Sequence, residues 1–345
     1  MNRASLLFPA VLLGVAACTD STTKVTEPVA LHPVFSNSYP ELNDNKHIMK
    51  LKDEGKKDAQ EAEKLARDEA HARPGGGGTG ISYHGGPVLL SGTNVVAIYW
   101  STPANAPIYQ GGPTSGSGTG AQDGSLVGYF LRNLGGSPYF NINSTYTNGT
   151  TAHIANVVNY TGFWANAATN APSGTTSVSD AQMIAMLQSG FNSGAITYDA
   201  STLYAIFTSG KVNLGGGFGT QYCAYHTHGT VSIGGVNKTI LYAAQPYNNA
   251  YPGACTEGTA SPNGDAGADA EVNTLAHEIE ETTTDMMANA WFDNRGYENA
   301  DKCAWNFGST YTSNGGVANM QIGTKQFLIQ QNWINAGSGG CRKSY

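Results

Sequence analysis

The sequence predicts an α/β domain, a mixed sheet with packed helices, behind an N-terminal tether that is part disordered and part helical. Three observations carry that expectation. Segments of strand character alternate with segments of helical spacing from residue 87 onward. One helical segment, residues 179–194, has recognisable ends, with capping residues at its start and glycine at its close. The 345 residues include 44 Gly and 18 Tyr but are only 12% charged, which suits an exported, loop-rich protein. A zincin-like arrangement is one form this class takes when its longest helix carries a metal motif.

The N-terminus reads as an export signal. Arg3 precedes the apolar run SLLFPAVLLGVAA, which is too short for a stable membrane anchor. The run ends in V-A-A-C, residues 15–18, which resembles a bacterial lipobox. Cys18 would then be lipidated and tie the mature chain to the cell envelope; an ordinary cleaved signal peptide is the alternative. Residues 19–42 are polar and read as a disordered tether. Residues 45–73 are dense in Lys, Glu, Asp and Ala, with pairs such as Glu63 and Arg67 at helical spacing. No sustained apolar stripe runs along them, so a solvated helix is expected there, as spacer or prosegment. PGGGGTG (74–80) lacks the Lys-Ser/Thr of a phosphate loop and reads as a flexible linker. The expected organisation is therefore signal peptide with lipobox (1–18), tether, charged helix and linker (19–80), and a globular domain (81–345).

The elements of that domain follow in order. PVLLSGTNVVAIYWS (87–101) is a strand or hairpin rich in β-branched residues. DGSLVGYFLRNL (123–134) has helical spacing, and TAHIANVVNY (151–160) is a strand. SDAQMIAMLQSGFNSG (179–194) opens on capping residues and closes on Gly, so a helix lies between them. STLYAIFTS (201–209) and KTILYAAQPY (238–247) are short buried strands. DAGADAEVNTLAHEIEETTTDMMANA (265–290) holds the longest helix of the domain, and FLIQQNWI (327–334) is a late strand.

The charge pattern points to the long helix. Eleven acidic residues fall between Glu257 and Asp301, against one base, Arg295. Such crowding is costly unless a positive group joins it, and a bound cation answers that need. A solvated acidic face is the alternative. Val272, Leu275, Ile279 and Met286 form the stripe expected to dock on the sheet. His277 and Glu281, four apart, project together away from that stripe. With Glu278 they make H-E-x-x-E, one ligand different from the H-E-x-x-H of zinc hydrolases. Zinc accepts imidazole nitrogen and carboxylate oxygen, and a catalytic site takes three protein ligands and leaves a position open. His277 and Glu281 are two candidates. Glu298 or Asp301 supplies the third, after a turn at Asn294–Gly296. Glu278 is the candidate general base.

Two readings compete with catalytic zinc. Glu281, Asp285, Asp293, Glu298 and Asp301 would make an oxygen site suited to calcium as a structural clip. Without a metal, His277 would be a buried polar residue bonded to Glu281 or Thr274. His226 and His228, at i and i+2 in CAYHTHG, share one face of a strand and are further candidates as ligands or as cleft lining. Setting Cys18 aside, Cys223, Cys255, Cys303 and Cys341 form an even set in an exported chain, so two disulfides are expected, with three pairings open. No G-x-S-x-G elbow is present, and four paired cysteines leave no thiol nucleophile.

The order QYCAYHTHG, ILYAAQPY, PGACTEG, SPNGDAGADAEVNTLAHE, KCAWNFG, KQFLIQQNWINAGSGGC, preceded by YHGGPVLLSGTNVVAIYWS, resembles the phosphate-induced protein 1, or EXORDIUM-like, family over residues 82–345. The resemblance implies an exported cell-wall or surface protein and pairs Cys223 with Cys255 and Cys303 with Cys341. Plant members, associated with growth responses, carry a Leu-Ala-rich segment where this chain has AHEIEE. Microbial members resemble HExxE-x-x-T-D-P followed by W-x-D, G-x-E and D-x-C. Trp291, Asp293, Glu298, Asp301 and Cys303 match that pattern; Asp285 is followed by Met286 rather than Pro.

Two function classes follow. One is a surface-tethered, metal-dependent, peptidase-like hydrolase, with a peptide or glycan substrate. The other is a non-catalytic wall or glycan-binding module, with Tyr and Trp stacking surfaces and a structural ion. The net charge of −7 gives no reason to expect nucleic acid. No transmembrane helix is expected in the mature chain.

Overall fold

A computed structural model describes residues 46–72, 78–101, 109–167, 169–258 and 260–345. Cys18, the signal segment, the tether over 19–42 and most of the Gly-rich linker lie outside the described residues. Seven strands form one mixed sheet: β1 (His47–Lys50), β2 (Thr93–Tyr99), β3 (Gly116–Thr119), β4 (Val158–Ala165), β5 (Thr202–Phe207), β6 (Tyr222–Ile233) and β7 (Val236–Gln245). Their order is β1-β6-β7-β5-β2-β4-β3. The central strands β7, β5, β2 and β4 are parallel; β1, β6 and β3 join antiparallel at the two sides. Among the described residues four helices exceed two turns: α1 (Lys52–Ala72), α2 (Leu126–Leu134), α3 (Asp180–Ser193) and α4 (Ala266–Thr284). The expected α/β class with a mixed sheet is what forms.

Strand alternation divides the core into two layers. Val95, Ala97 and Tyr99 of β2 face α2 and α4, together with Leu203, Ala205 and Phe207 of β5. Val96 and Ile98 face the other way, with Tyr204 and Ile206, onto Met183, Met186 and Leu187 of α3. Each such buried aliphatic or aromatic side chain contributes about 1.5–3 kcal/mol. Helix α3 begins and ends where its sequence says. Ser179 and Gln182 close a capping box, and Gly194 takes φ 72° at the C-terminal end.

Helix α4 starts at its N-cap Asp265, whose carboxylate accepts from the Ala268 amide. Val272, Leu275 and Ile279 enter the core as expected, while Met286 lies beyond the helix end. The opposite face does not meet solvent. From Glu271 to Thr284 every residue is buried, because β6, β1 and the 298–303 segment cover it.

The N-terminal charged segment differs from the solvated helix expected. β1 pairs antiparallel with β6, placing His47 opposite His226. Helix α1 packs its Gly55, Ala59 and Ala62 inward, all buried. A Cβ on Gly55 would lie 2.7 Å from Trp305 Cδ1 and 3.0 Å from Ala304 Cβ. Small residues let two surfaces approach closely without an apolar stripe, which is why hydropathy spacing does not reveal the seam. Lys50 adds bonds to Asp58 (2.7 Å) and to the Tyr297 hydroxyl (2.9 Å).

Two strand boundaries also shift. The strand expected at 151 begins at Val158, because the Ile154 and Ala155 amides donate instead to Tyr146 and Leu90 carbonyls. The late strand over 327–334 is interrupted. Lys325–Phe327 pairs with Met320–Ile322, and Asn332–Trp333 with Cys341–Arg342. Between them the Gln330 amide donates to Asn273 Oδ1 and the Gln331 amide to the Asn306 carbonyl. Disulfides join Cys223 to Cys255 and Cys303 to Cys341, the pairing the family resemblance implies.

Candidate metal centre

His277 and Glu281 lie one turn apart on α4, with His277 Nε2 3.0 Å from Glu281 Oε1. After the helix, Asp285 accepts from the Asn289 and Ala290 amides and begins the return of the chain. Asp293 Oδ1 then accepts from the Arg295 and Tyr297 amides, and Gly296 takes φ 85°. This turn, expected at Asn294–Gly296, brings Glu298 and Asp301 back against α4. Asp301 Oδ1 comes within 3.5 Å of His277 Nε2, and its amide donates to Glu281 Oε1 at 3.0 Å. His277, Glu281 and Asp301 thus converge on one point.

A second convergence lies beside the first. His226 on β6 sets its Nε2 3.1 Å from Glu298 Oε2 and 3.4 Å from Glu281 Oε2. His47 on β1 reaches the same Glu298 oxygen through Nδ1. Its ring is 5.2 Å from that of His226. His47, His226 and Glu298 form one candidate ligand group, and His226, Glu278 and Glu281 another. Of the candidates read from sequence, the fold therefore gathers His226, His277, Glu278, Glu281, Glu298 and Asp301. It places Asp301 by His277 and Glu298 by His226, so the two carboxylates weighed as one third ligand occupy separate positions.

His228 and Asp293 are not among these converging atoms. His228 is half-buried, and burial together with the neighbouring His226 and His47 holds its pKa below the usual imidazole value. Asp293 instead pairs with Lys302 (3.2 Å) and Arg295 (3.1 Å), so the five-carboxylate calcium clip is not assembled. Asp285 sits nearby with Oδ2 unpartnered; burial and Glu298 push its carboxyl up to about 7. His47 is the residue that sequence reasoning passed over. The only signal for it was a histidine beside the apolar Ile48 and Met49, inside a segment that otherwise reads as solvated.

Burial decides between the readings of the acidic crowd. Glu278, Glu281, Glu298 and His277 are 0% exposed and His226 is 2%, so a solvated acidic face is ruled out. Both nitrogens of His277, both oxygens of Glu278, Glu281 Oε2 and Glu298 Oε1 have no hydrogen-bond partner among the described residues. His277 Nε2 and Glu281 Oε1 are close, yet not on a line a hydrogen bond would use. Thr274, the other partner considered for His277, bonds to Gln245 and the Glu271 carbonyl. Burial lowers the basicity of His277, but the adjacent Glu281 and Asp301 raise it well above the usual range. Burial raises the Glu278 carboxyl well above its ordinary value, against the pull of His277. Leaving so many buried polar atoms unmatched costs several kcal/mol. Lone pairs that converge on a point rather than on each other fit a cation there. Ligands about 2.1 Å from a shared ion sit roughly 3.0–3.4 Å apart, close to the 3.0 and 3.5 Å found. The side-chain exposure of Asp301 (15%) and His47 (12%) marks the side open to solvent.

No curated protein and no solved structure matches the chain. The sequence model of the phosphate-induced protein 1 conserved region matches residues 136–325. That stretch runs from the end of α2 to the C-terminal hairpin and takes in His226, the H-E-x-x-E helix, Glu298 and Asp301, but not His47. It covers more than half of the chain, and the chain therefore belongs to the phosphate-induced protein 1 family.

Proposed function

We propose that this protein is a metal-dependent hydrolase of peptidase type, with zinc as the first choice of ion. The observation that carries the reading is the buried convergence of His277, Glu281 and Asp301 with the unpartnered Glu278 carboxylate beside it. A divalent cation held there would supply Lewis-acid polarisation of a carbonyl and acidify a water. Glu278 is the group left to take the proton from the attacking water and pass it to the leaving amine. His277, Glu281 and Asp301 hold position, and the Asp301 amide keeps the Glu281 carboxylate turned toward the site.

The glycan-binding alternative keeps exposed stacking candidates in Tyr311 and Tyr345, whereas all five tryptophans are buried and offer none. Two disulfides fit an oxidising compartment. Among the described residues no helix is long and apolar enough to cross a membrane. An exported protein, held to the cell envelope through Cys18 or secreted, is the location proposed. The test is Glu278→Gln assayed on a panel of unstructured peptides. The expected result is unchanged metal content and turnover lowered at least 100-fold. Full turnover in that variant, or wild-type protein that binds no divalent ion, sinks the proposal.

A further inference from the structure

We propose that the centre holds two divalent cations, bridged by the Glu281 carboxylate. One position is completed by His277 and Asp301, the other by His226, Glu298 and His47. The inference deepens the hydrolase reading and depends on it for chemistry, though not for its metal count.

The two oxygens of Glu281 face different partners. Oε1 lies by His277 Nε2 at 3.0 Å, and Oε2 by His226 Nε2 at 3.4 Å. The latter oxygen has no hydrogen-bond partner among the described residues. A carboxylate so placed spans two ions about 3.5–4 Å apart, the separation of paired catalytic metals. His277 and Asp301 lie on one side and His47, His226 and Glu298 on the other, while a third group of His226, Glu278 and Glu281 links the two. On the second side His226 Nε2 and Glu298 Oε2 are hydrogen-bonded at 3.1 Å, a contact that an ion would replace, and Glu281 Oε2 lies 3.4 Å away.

Charge bears on the same count. Glu278, Glu281, Glu298 and Asp301 bring four carboxylates into one mostly buried space, and the groups converging with them are imidazoles. One divalent ion balances two of these charges, and the other two need either a second ion or protonated His226 and His47, whose basicity burial lowers but Glu298 raises; the measured metal count separates the two. The mixed nitrogen and oxygen donors on both sides suit first-row transition ions such as zinc, cobalt or manganese, rather than calcium.

His47 gives β1 and α1 a purpose beyond covering the sheet edge. β1 sets His47 directly opposite His226, and the Gly55 seam holds α1 and hence β1 in place. The N-terminal segment therefore carries a ligand of the second ion.

The test is titration of the metal-free full chain with Co²⁺, followed by visible absorption and electron paramagnetic resonance. Wild type is expected to take up two equivalents, with the signal of the first quenched as the second binds beside it. His47→Ala and His226→Ala are each expected to retain one uncoupled equivalent, with near-ultraviolet circular dichroism confirming the fold. Saturation of wild type at one equivalent overturns the proposal, as do two equivalents that never couple, or undiminished coupling in His47→Ala. One equivalent with Glu278-dependent turnover would leave the hydrolase reading standing and end the two-ion one. Two coupled ions without turnover on any peptide would do the reverse.

Discussion

Gly55→Ala separates a packed α1 from a solvated one. On an exposed helix surface the change gains about 0.8–1.0 kcal/mol, because Gly is the weaker helix former. Here the added Cβ meets Trp305 Cδ1 at 2.7 Å and Ala304 Cβ at 3.0 Å, where carbon contacts settle near 3.5–4.0 Å. The methyl is short of room by roughly 1 Å, and Trp305 is itself buried with its Nε1 bonded to the Lys50 carbonyl. Overpacking of this kind costs about 1–3 kcal/mol. The clash cancels or outweighs the propensity gain, and a net destabilisation of roughly 0–2 kcal/mol is expected in place of the gain. Urea unfolding of the full chain reads it as a lowered midpoint with an unchanged slope. Gln60→Ala, exposed on the same helix, is the control and stays within about 0.5 kcal/mol. A rise of a full kcal/mol in Gly55→Ala would mean that the helix does not lie on Trp305, and the reasoning about β1 and His47 would go with it.

Chelation of the metal should lower the unfolding temperature, and added zinc should restore it; at 100-fold excess over Kd the stabilisation is about 2.7 kcal/mol, and no shift at all would argue that no ion is bound. Asp293→Asn keeps the turn's acceptor but weakens the buried pair with Lys302, for a loss on the order of 3 kcal/mol at neutral pH by urea unfolding. Burial raises the Asp293 carboxyl, but Lys302 and Arg295 outweigh it and hold the pKa below its usual 3.8. A depressed folded-state pKa stabilises above the unfolded value, so this contribution is lost only as pH falls below about 4, and the variant should lack that acid-dependent portion. Replacing Cys303 and Cys341 by Ser opens a loop of 38 residues, for about 4 kcal/mol on the chain-entropy view, and loosens the turn carrying Asp301; unchanged stability would argue that the bridge is not formed.

Local signals in the sequence were read correctly where the structure is local. The Ser179 cap and Gly194 stop bound α3, Asp265 starts α4, and H-E-x-x-E places His277, Glu278 and Glu281 through helix geometry alone. What depends on distant pairing was not legible. His47 meets His226 only because β1 adds to the edge of β6, and no periodicity in either segment reports that register. The choice between Glu298 and Asp301 assumed one metal position, while the fold distributes them over two groups of side chains. The charged composition of α1 concealed a seam made of Gly and Ala. The late strand failed because the Gln330 amide found the Asn273 side chain on α4 and the Gln331 amide the Asn306 carbonyl, rather than a neighbouring strand.

The ligands are contributed by residues as far apart as 47 and 301, with both cystines closing loops between or beside them. His277, Glu281 and Asp301 come together within one stretch of chain, whereas His47, His226 and Glu298 meet only once the long loops between them have closed. An ion bound to the second group would therefore enter late, after the sheet has formed around it.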